Sequence, residues 1–554
     1  MEQRQKRLIE QGDQLFAKRS PLMSLLQEIG DHFYPERAMF TATKSLGEEF
    51  ADHLTTSYPV IARRELGDTF SSMLRPKDTS WFFVKAARED RMAGDDTEGR
   101  GWLEWSTGVQ RRAMYDIQSG FVRATKEGDQ DFAAFGQAVI SIELGRGGDT
   151  MLYRCWHLRD VAWRDGYNGR IGPVHRKWKP TIVDLKAAFG GKVSPKVDGK
   201  LRTAPFEEIE CRHIVVPSEE YEGKWRTPYV SVYIDMTHEH VIEEVGSWTP
   251  IYVIPRWQTV SGSQYAYSPA TVAALPDARL IQAMTLTLLE AGEKAADPPL
   301  VATQEAVRTD LDTRAGGVTW VDSEYDEKLG AALRALDIDR SGLQFGVDMH
   351  DRVRVAIHEA FYLNKLNMPP AGQGEMTAFE VGQRIQEYIR NALPIFEPVE
   401  NDYNGGICEQ TFEILLRNGA FGRPQDIPES LQGQEIAFRF ESPLSQMSER
   451  RKGQEFMEAK ALVLDTAAFD PSVMPILDAT TALRDVLKGI GTAAKWIRSE
   501  EQVAASLQAQ QQANEATGMM AAMTQGSEIA KNLGSAAGGA AKAIGTIVPE
   551  NAAA

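Results

Sequence analysis

A mixed α+β fold, mainly helical, is what the sequence predicts, and three patterns predict it. Apolar residues recur every three or four positions through residues 3–75 and again beyond about 257. Short β-type runs crowd the stretch between about 131 and 257. Two long amphipathic tracts flank a compact insert at 298–342. With 554 residues, 42% of them apolar, the chain is long enough for roughly three packed units and a sizeable core.

The elements follow in order. Leu8, Leu15 and Phe16, then Leu22, Leu25, Leu26 and Ile29, mark helices that PER at 35–37 interrupts. SWFFVKAA (80–87) is aromatic and β-favouring, and Trp102, Trp105, Val109 and Met114 predict a second helical tract to about residue 126. From about 131, FAAFGQAVISIELG, TMLYRCWHLRDVAWR, HRKWK, HIVVPSEEY, YVSVYIDM and PIYVIPRW predict a sheet region, interrupted at 186–200 by KAAFGGKVSPKVDGK as an exposed excursion.

Pro276 and Asp277 suit a first helical turn, and LIQAMTLTLLEAGEKAA carries that helix to Asp297, where Pro298 and Pro299 forbid continuation. Residues 300–340 predict a small mixed α/β unit. Met349, Val353, Ile357 and Ala360 predict a second long helix over 343–365. After the Gly/Pro/Met stretch KLNMPPAGQGEMTAFEV (365–381), Thr377 and Glu380 stand at capping-box spacing at the start of a third helix. GICEQTFEILLRNGAF predicts another helix, GQEIAFRFESPL a strand, and everything beyond Pro443 Ala/Gln/Gly-rich helices; 526–554 has too little bulk for a core.

The totals exclude several classes. With 78 acidic against 61 basic side chains the formal charge is −17, which argues against tight binding through many phosphate contacts, though not against a conduit for DNA. Three dispersed cysteines, Cys155, Cys211 and Cys408, offer neither a disulfide framework nor a metal knuckle, and suit a reducing compartment. The N-terminal stretch has no signal-peptide apolar run, and no stretch of about 18 uninterrupted apolar residues predicts a membrane span.

Catalytic motifs fail on spacing. Each Gly-Lys pair, at 191–192, 199–200 and 223–224, is followed by Val193, Leu201 or Trp225 instead of the Ser or Thr that would hold magnesium in a phosphate-binding loop. His358-Glu359 opens like a zinc-peptidase helix, but position 362 is tyrosine, and His350 lies two turns away. Gly145-Arg146-Gly147-Gly148 is half a dinucleotide fingerprint with Thr150 at the third glycine. No metal, cofactor or catalytic residue is predicted.

The informative feature is the order of parts. YSPATVAALPDARLIQAMTLTLLEAGEKAADPPL (267–300), EMTAFEVGQRIQEYIRNALPIFEPVENDYNGGI (375–407), FADHLTTSYPVIARRELGDTFSSMLRPKDTSWFFV (50–84) and ESPLSQMSERRK (441–452) succeed one another as blocks. In these blocks the chain resembles the head-to-tail connector, or portal, proteins of short-tailed, podovirus-type bacteriophages. The resemblance implies a portal-type protomer: a wing from 1–267, a first stem helix at 268–297, a clip at 298–342, a second stem helix at 343–365, a channel loop at 366–375, a wing return at 376–440, crown or barrel helices at 441–525, and a tail at 526–554.

It also implies a homo-oligomeric ring, usually dodecameric, at one capsid vertex of the virion. Double-stranded DNA would pass through it during packaging and ejection. The implied partners are a terminase motor, the major capsid and scaffolding proteins, tail adaptors and internal core proteins, with no membrane.

By position, Lys365, Asn367, Met368, Gln373 and Glu375 belong to the channel loop, where few charges would let duplex slide without being read. Asp310, Asp312, Asp322, Glu324, Asp326 and Glu327 form an acidic clip surface for docking the motor and then the tail. A tail-associated hydrolase and a non-channel capsid scaffold are the alternatives. The first needs a convergent site, and the second leaves the paired rods without a purpose.

Overall fold

A computed structural model describes residues 3–45, 47–77, 80–87, 97–145, 147–148, 150–296, 298, 300–302, 333–335, 341–366 and 397–440, with shorter pieces between 453 and 514. The chain divides into two compact units, Met1–Lys85, Trp105–Asp426 and Ile436–Arg451 in the first, Ala86–Glu104, Ile427–Glu435 and Lys452–Ala554 in the second.

In the first unit α1 (Gln3–Lys18), α2 (Ser20–Phe33) and α3 (Tyr58–Leu74) confirm the helical start, with a single 3-10 turn at Pro35–Arg37 where the break was expected. Strand β1 (Phe82–Ala86) precedes α4 (Thr97–Met114), whose residues as far as Glu104 belong to the second unit, and α5 (Phe121–Phe135). Helix α5 runs nine residues past the predicted end near 126, so Phe132-Ala133-Ala134-Phe135 is helical and not the start of a strand. Those four residues are fully buried, and burial on every side erases the amphipathic signal. The helix stops at Gly136, whose φ of +71° is left-handed. A Cβ there would fall on the Tyr267 carbonyl carbon and the Ser268 nitrogen.

The β section is two sheets. Strands β2 (Ile140–Leu144), β3 (Met151–Cys155) and β9 (Tyr252–Val253) form one, in the order β3-β2-β9. Strands β4 (Val161–Asp165), β5 (Ile171–Trp178), β6 (Cys211–Pro217), β7 (Tyr229–Asp235) and β8 (His240–Ser247) form an antiparallel meander in chain order. Alternation sets its faces. Ile214, Val216, Val230, Val232 and Ile234 pack against Leu8 of α1, while Arg212 fixes that helix by donating to the Ile9 carbonyl at 3.0 Å and to Asp13 at 2.7 Å.

On the opposite face Tyr252 ties the two sheets together. Its hydroxyl accepts from Arg176 Nε at 2.8 Å and so turns its own proton toward His213 Nδ1 at 2.5 Å, leaving Nε2–H to donate to Ser231 Oγ at 2.8 Å.

The stretch at 186–200 is not an exposed excursion. Helices α6 (Ile182–Phe189) and α7 (Pro195–Lys200) fold back, and Ile182, Leu185, Phe189, Val193 and Val197 form a small core with Ile209, Cys211 and Ile242. The lysines stay outside and pair with carboxylates, as Lys186 does with Asp198 at 2.5 Å and Lys200 with Glu207 at 2.6 Å.

After the short pair β10 (Gln258–Thr259) and β11 (Ala266–Tyr267) comes α8 (Pro269–Ala296), seven residues earlier than Pro276 suggests. Pro276 lies inside the helix, where its missing N–H gives up one internal hydrogen bond, while Pro269 takes the first-turn position. The two-stranded ribbon of β12 (Leu300–Ala302) and β13 (Leu333–Ala335) is antiparallel. Helix α9 (Ser341–Ala360) ends before the predicted Lys365: Tyr362 has φ +58°, which breaks the helix, and α10 (Leu363–Leu366) is one further turn. A helix ending in α11 (Gly406–Arg417) and the strand β14 (Ile436–Phe440), paired with β1, complete the unit.

In the second unit Leu103 and Leu431 are buried, Ala87 N–H donates to the Glu435 carbonyl at 2.8 Å, and Ala479–Gly489 is helical. The third helix with Thr377 and Glu380 at its start lies outside the described residues.

Candidate assembly and channel surface

Helix α8 is about 42 Å long at 1.5 Å per residue, and its two halves live in different surroundings. The first half is core: Ala270, Thr271, Ala274, Leu275, Ala278 and Ile281 are buried, and Thr271 Oγ1 donates to the Ala134 carbonyl at 2.8 Å. Gln282 closes this half. Its Oε1 accepts from the Thr55 and Thr56 amides at 2.7 and 2.9 Å, and its Nε2 donates to the Thr56 carbonyl at 2.9 Å.

Beyond Gln282 the helix meets α9. Thr285 Oγ1 donates to the Ile281 carbonyl at 2.7 Å and is therefore free to accept from His350 Nε2 at 3.2 Å. Leu288 lies against Gly346, where a Cβ would come within 2.9 Å of its Cδ2. The absence of a side chain at 346 thus brings the helices close. At the base of α9, Val353, Ile357 and Phe361 are buried, and the Phe361 ring stands 5.4 Å from that of Phe33.

The flanks of this hairpin carry large apolar side chains in the open. Leu286 and Leu289 on α8 are 49% and 55% exposed, and Phe345 and Val355 on α9 are 69% and 55% exposed. Among the described residues α8 is long and apolar enough to cross a bilayer by length and composition, with 28% of its most apolar window buried. That helix is still not an uninterrupted apolar run, because Asp277, Arg279, Gln282, Thr285 and Thr287 intersperse it, so the sequence expectation of no such run stands.

Of the predicted channel residues, Lys365 is in α10, its side chain outside the described residues, as are Asn367, Met368, Gln373 and Glu375 entirely. The clip carboxylates Asp310, Asp312, Asp322, Glu324, Asp326 and Glu327 also lie outside them. Among the described residues no group of three or more His, Cys, Asp or Glu side chains could hold a metal ion.

Sequence reading missed a buried ionic belt on α5. Asp129, Gln130 and Asp131 are consecutive, buried, and each met by an arginine from elsewhere. Arg75 pairs with Asp129, Arg63 with Gln130, and Arg37 grips Asp131 through Nε at 3.1 Å and Nη2 at 2.8 Å. Burial pushes the Asp129 carboxyl up to about 6 although Arg75 opposes it, and burial raises Asp131 against Arg37 in the same way. Nothing in the local pattern EGDQD distinguishes this belt from a solvated helix face.

The family described as bacteriophage head to tail connecting protein matches residues 5–497. The chain belongs to that family. A probable portal protein of Bordetella phage BPP-1 is 24% identical over 542 residues, covering 96% of this chain and 95% of its own length. The portal protein of Salmonella phage epsilon15 is 21% identical over 516 residues, covering 91% and 90%. Among solved structures, a chain of the virion of a native gene transfer agent particle aligns with a TM-score of 0.37 at 9% identity, over 74% of this connector and 86% of that chain.

Proposed function

We propose that this connector is the portal protomer of a short-tailed phage, and that copies of it close into a ring, of twelve subunits by resemblance, at one capsid vertex of the virion. The observation that carries the reading is the hairpin of α8 and α9. Its helices bury one flank on each other and leave Leu286, Leu289, Phe345 and Val355 uncovered on the others. A ring supplies the missing cover, because in a closed heterologous assembly each protomer's flank meets the next. Near-complete coverage of two phage portal relatives supports the same reading.

On this proposal the axis of the ring is the path of double-stranded DNA, entering under a terminase motor and leaving through the tail. Lys365, Asn367, Met368, Gln373 and Glu375 touch the duplex weakly, since a loop poor in cations cannot pin phosphate. Asp310, Asp312, Asp322, Glu324, Asp326 and Glu327 dock first the motor and then the tail adaptors, while capsid, scaffolding and internal core proteins hold the outside.

Electron micrographs of the purified full-length protein test the ring. Annuli with a central hole are expected, and monodisperse solid monomers would overturn it. Deleting residues 368–374 tests the loop: rings should still form while DNA per particle falls, and an unchanged DNA content would remove the loop's role.

A further inference from the structure

The helix that ends in α11 is not α-helical throughout: Glu397 and Pro398 are α, and the turns that follow are wound differently. Val399–Gly405 is wound as a π-helix and passes directly into Gly406–Arg417. Such turns are rare, occur mostly singly, and concentrate where a protein uses them. Here the groups that hold the turn can be named.

Tyr403 is fully buried, its ring 4.8 Å from the Arg75 guanidinium and its hydroxyl donating to the Thr125 carbonyl at 3.3 Å. Asn404 Oδ1 accepts from Arg75 Nη1 at 2.6 Å, while Arg75 Nη2 binds Asp129. Successive residues of an α-helix diverge by about 100°, so two neighbours rarely serve one partner; the wider π turn reduces that divergence. Gly128 makes room, since a Cβ there would collide with the Tyr403 hydroxyl. At the seam between the two windings stand Gly405 and Gly406, the residues for which a change of backbone dihedrals is cheapest.

We propose that the Arg75 guanidinium, braced by Asp129, is a latch that keeps residues 399–405 in the π winding, and that freeing Tyr403 and Asn404 lets the helix rewind to α by a slip of one residue. Such a slip turns one side of the seam about 100° against the other and moves it about 1.5 Å along the axis. The device does not depend on the ring or on DNA.

Cys408 reports on it. It lies just past the seam, fully buried, with its carbonyl accepting from Gln110 Nε2 at 2.9 Å, and burial raises its thiol well above the ordinary value. A buried, protonated thiol is inert until the helix moves.

The test uses native full-length protein, alkylation by N-ethylmaleimide read residue by residue, and amide exchange. In Asn404→Leu and Asn404→Ala, which take away the acceptor of Arg75 Nη1, Cys408 should label at least about tenfold faster and amides of 399–410 exchange faster. Cys211, buried in the α6–α7 core, should label at the parent rate. Unchanged labelling and exchange at 399–410 would overturn the latch. So would acceleration of Cys211 in step with Cys408, which marks loss of the whole fold. Should Asn404→Leu not fold, Asn404→Ala, which removes the same acceptor without adding bulk, carries the test alone.

Discussion

Around α5 the chain hides charge, and along the hairpin of α8 and α9 it exposes hydrocarbon. Asp129 and Asp131 have no more than 1% of their surface open yet find arginines, whereas Phe345 keeps 69% of its surface open. The first region is complete in one copy of the chain. On the proposed ring the second is not, and the contrast sets charge buried for the fold against hydrocarbon left for a neighbouring copy.

The most direct way to break the comparison is to put charge on the uncovered flank. Leu286→Glu with Phe345→Glu should abolish ring formation at concentrations where the parent assembles, read by sedimentation and micrographs. The protomer should keep its circular dichroism and lose no more than about 0.5 kcal/mol, because neither side chain is core. If rings persist, the hairpin flanks are not the interface. If the protomer unfolds, they were never spare.

The buried belt should respond the opposite way. Arg75→Leu leaves Asp129 uncompensated and should cost about 3–5 kcal/mol in urea unfolding. Adding Asp129→Leu should restore most of that, since removing both partners of a buried pair is often neutral. A single variant as stable as the parent would mean that the pair is not closed to water.

What the sequence reveals of these two regions differs for a physical reason. The hairpin is legible: helical spacing, Pro298 and Pro299 after the first rod, and a second rod with Val353 and Ile357 are local signals. The belt is not, because Arg37, Arg63 and Arg75 reach α5 from 94, 67 and 54 residues away, and only the fold makes them neighbours. The α6–α7 core lies between these extremes. Its glycines and lysines suggest a loop, yet Leu185, Phe189, Val193 and Val197 recur at every fourth position, a periodicity that turn residues obscure. The channel and clip residues follow from resemblance to the family and from position alone.

Acid should separate buried neutral groups from buried ionic ones. His175 is fully buried, neither ring nitrogen has a hydrogen-bond partner, and burial, with Arg212 nearby, pulls it down to about 3. Burial and Arg37 hold His157 at about 3 as well. Their folded values lie below the ordinary 6.5, so the stability they confer is whole above 6.5 and drains as pH falls toward 3. Asp129, raised to about 6, works in the opposite sense, contributing below its ordinary value and losing that contribution as pH rises through 6. His175→Leu should therefore lose about 2 kcal/mol less than the parent between pH 7.5 and pH 5 in urea titrations. Equal acid losses would mean that protonated His175 finds a counter-charge.

The smallest effect belongs to pairs that resemble the belt in name only. Arg123 Nε stands 3.0 Å from Glu127 on the outer side of α5, the same helix that carries Asp129, but the two side chains are 86% and 42% exposed. Water already solvates both, salt screens them, and ordering two long side chains offsets much of the attraction. Arg123→Ala should change stability by less than about 0.5 kcal/mol, and by less still at high ionic strength. A loss approaching that of Arg75→Leu would show that exposure on the isolated protomer misstates this helix face, and that a neighbouring subunit covers it in the assembled particle. Comparing the variant below and above the assembly concentration would then locate a second contact between copies, distinct from the hairpin flanks.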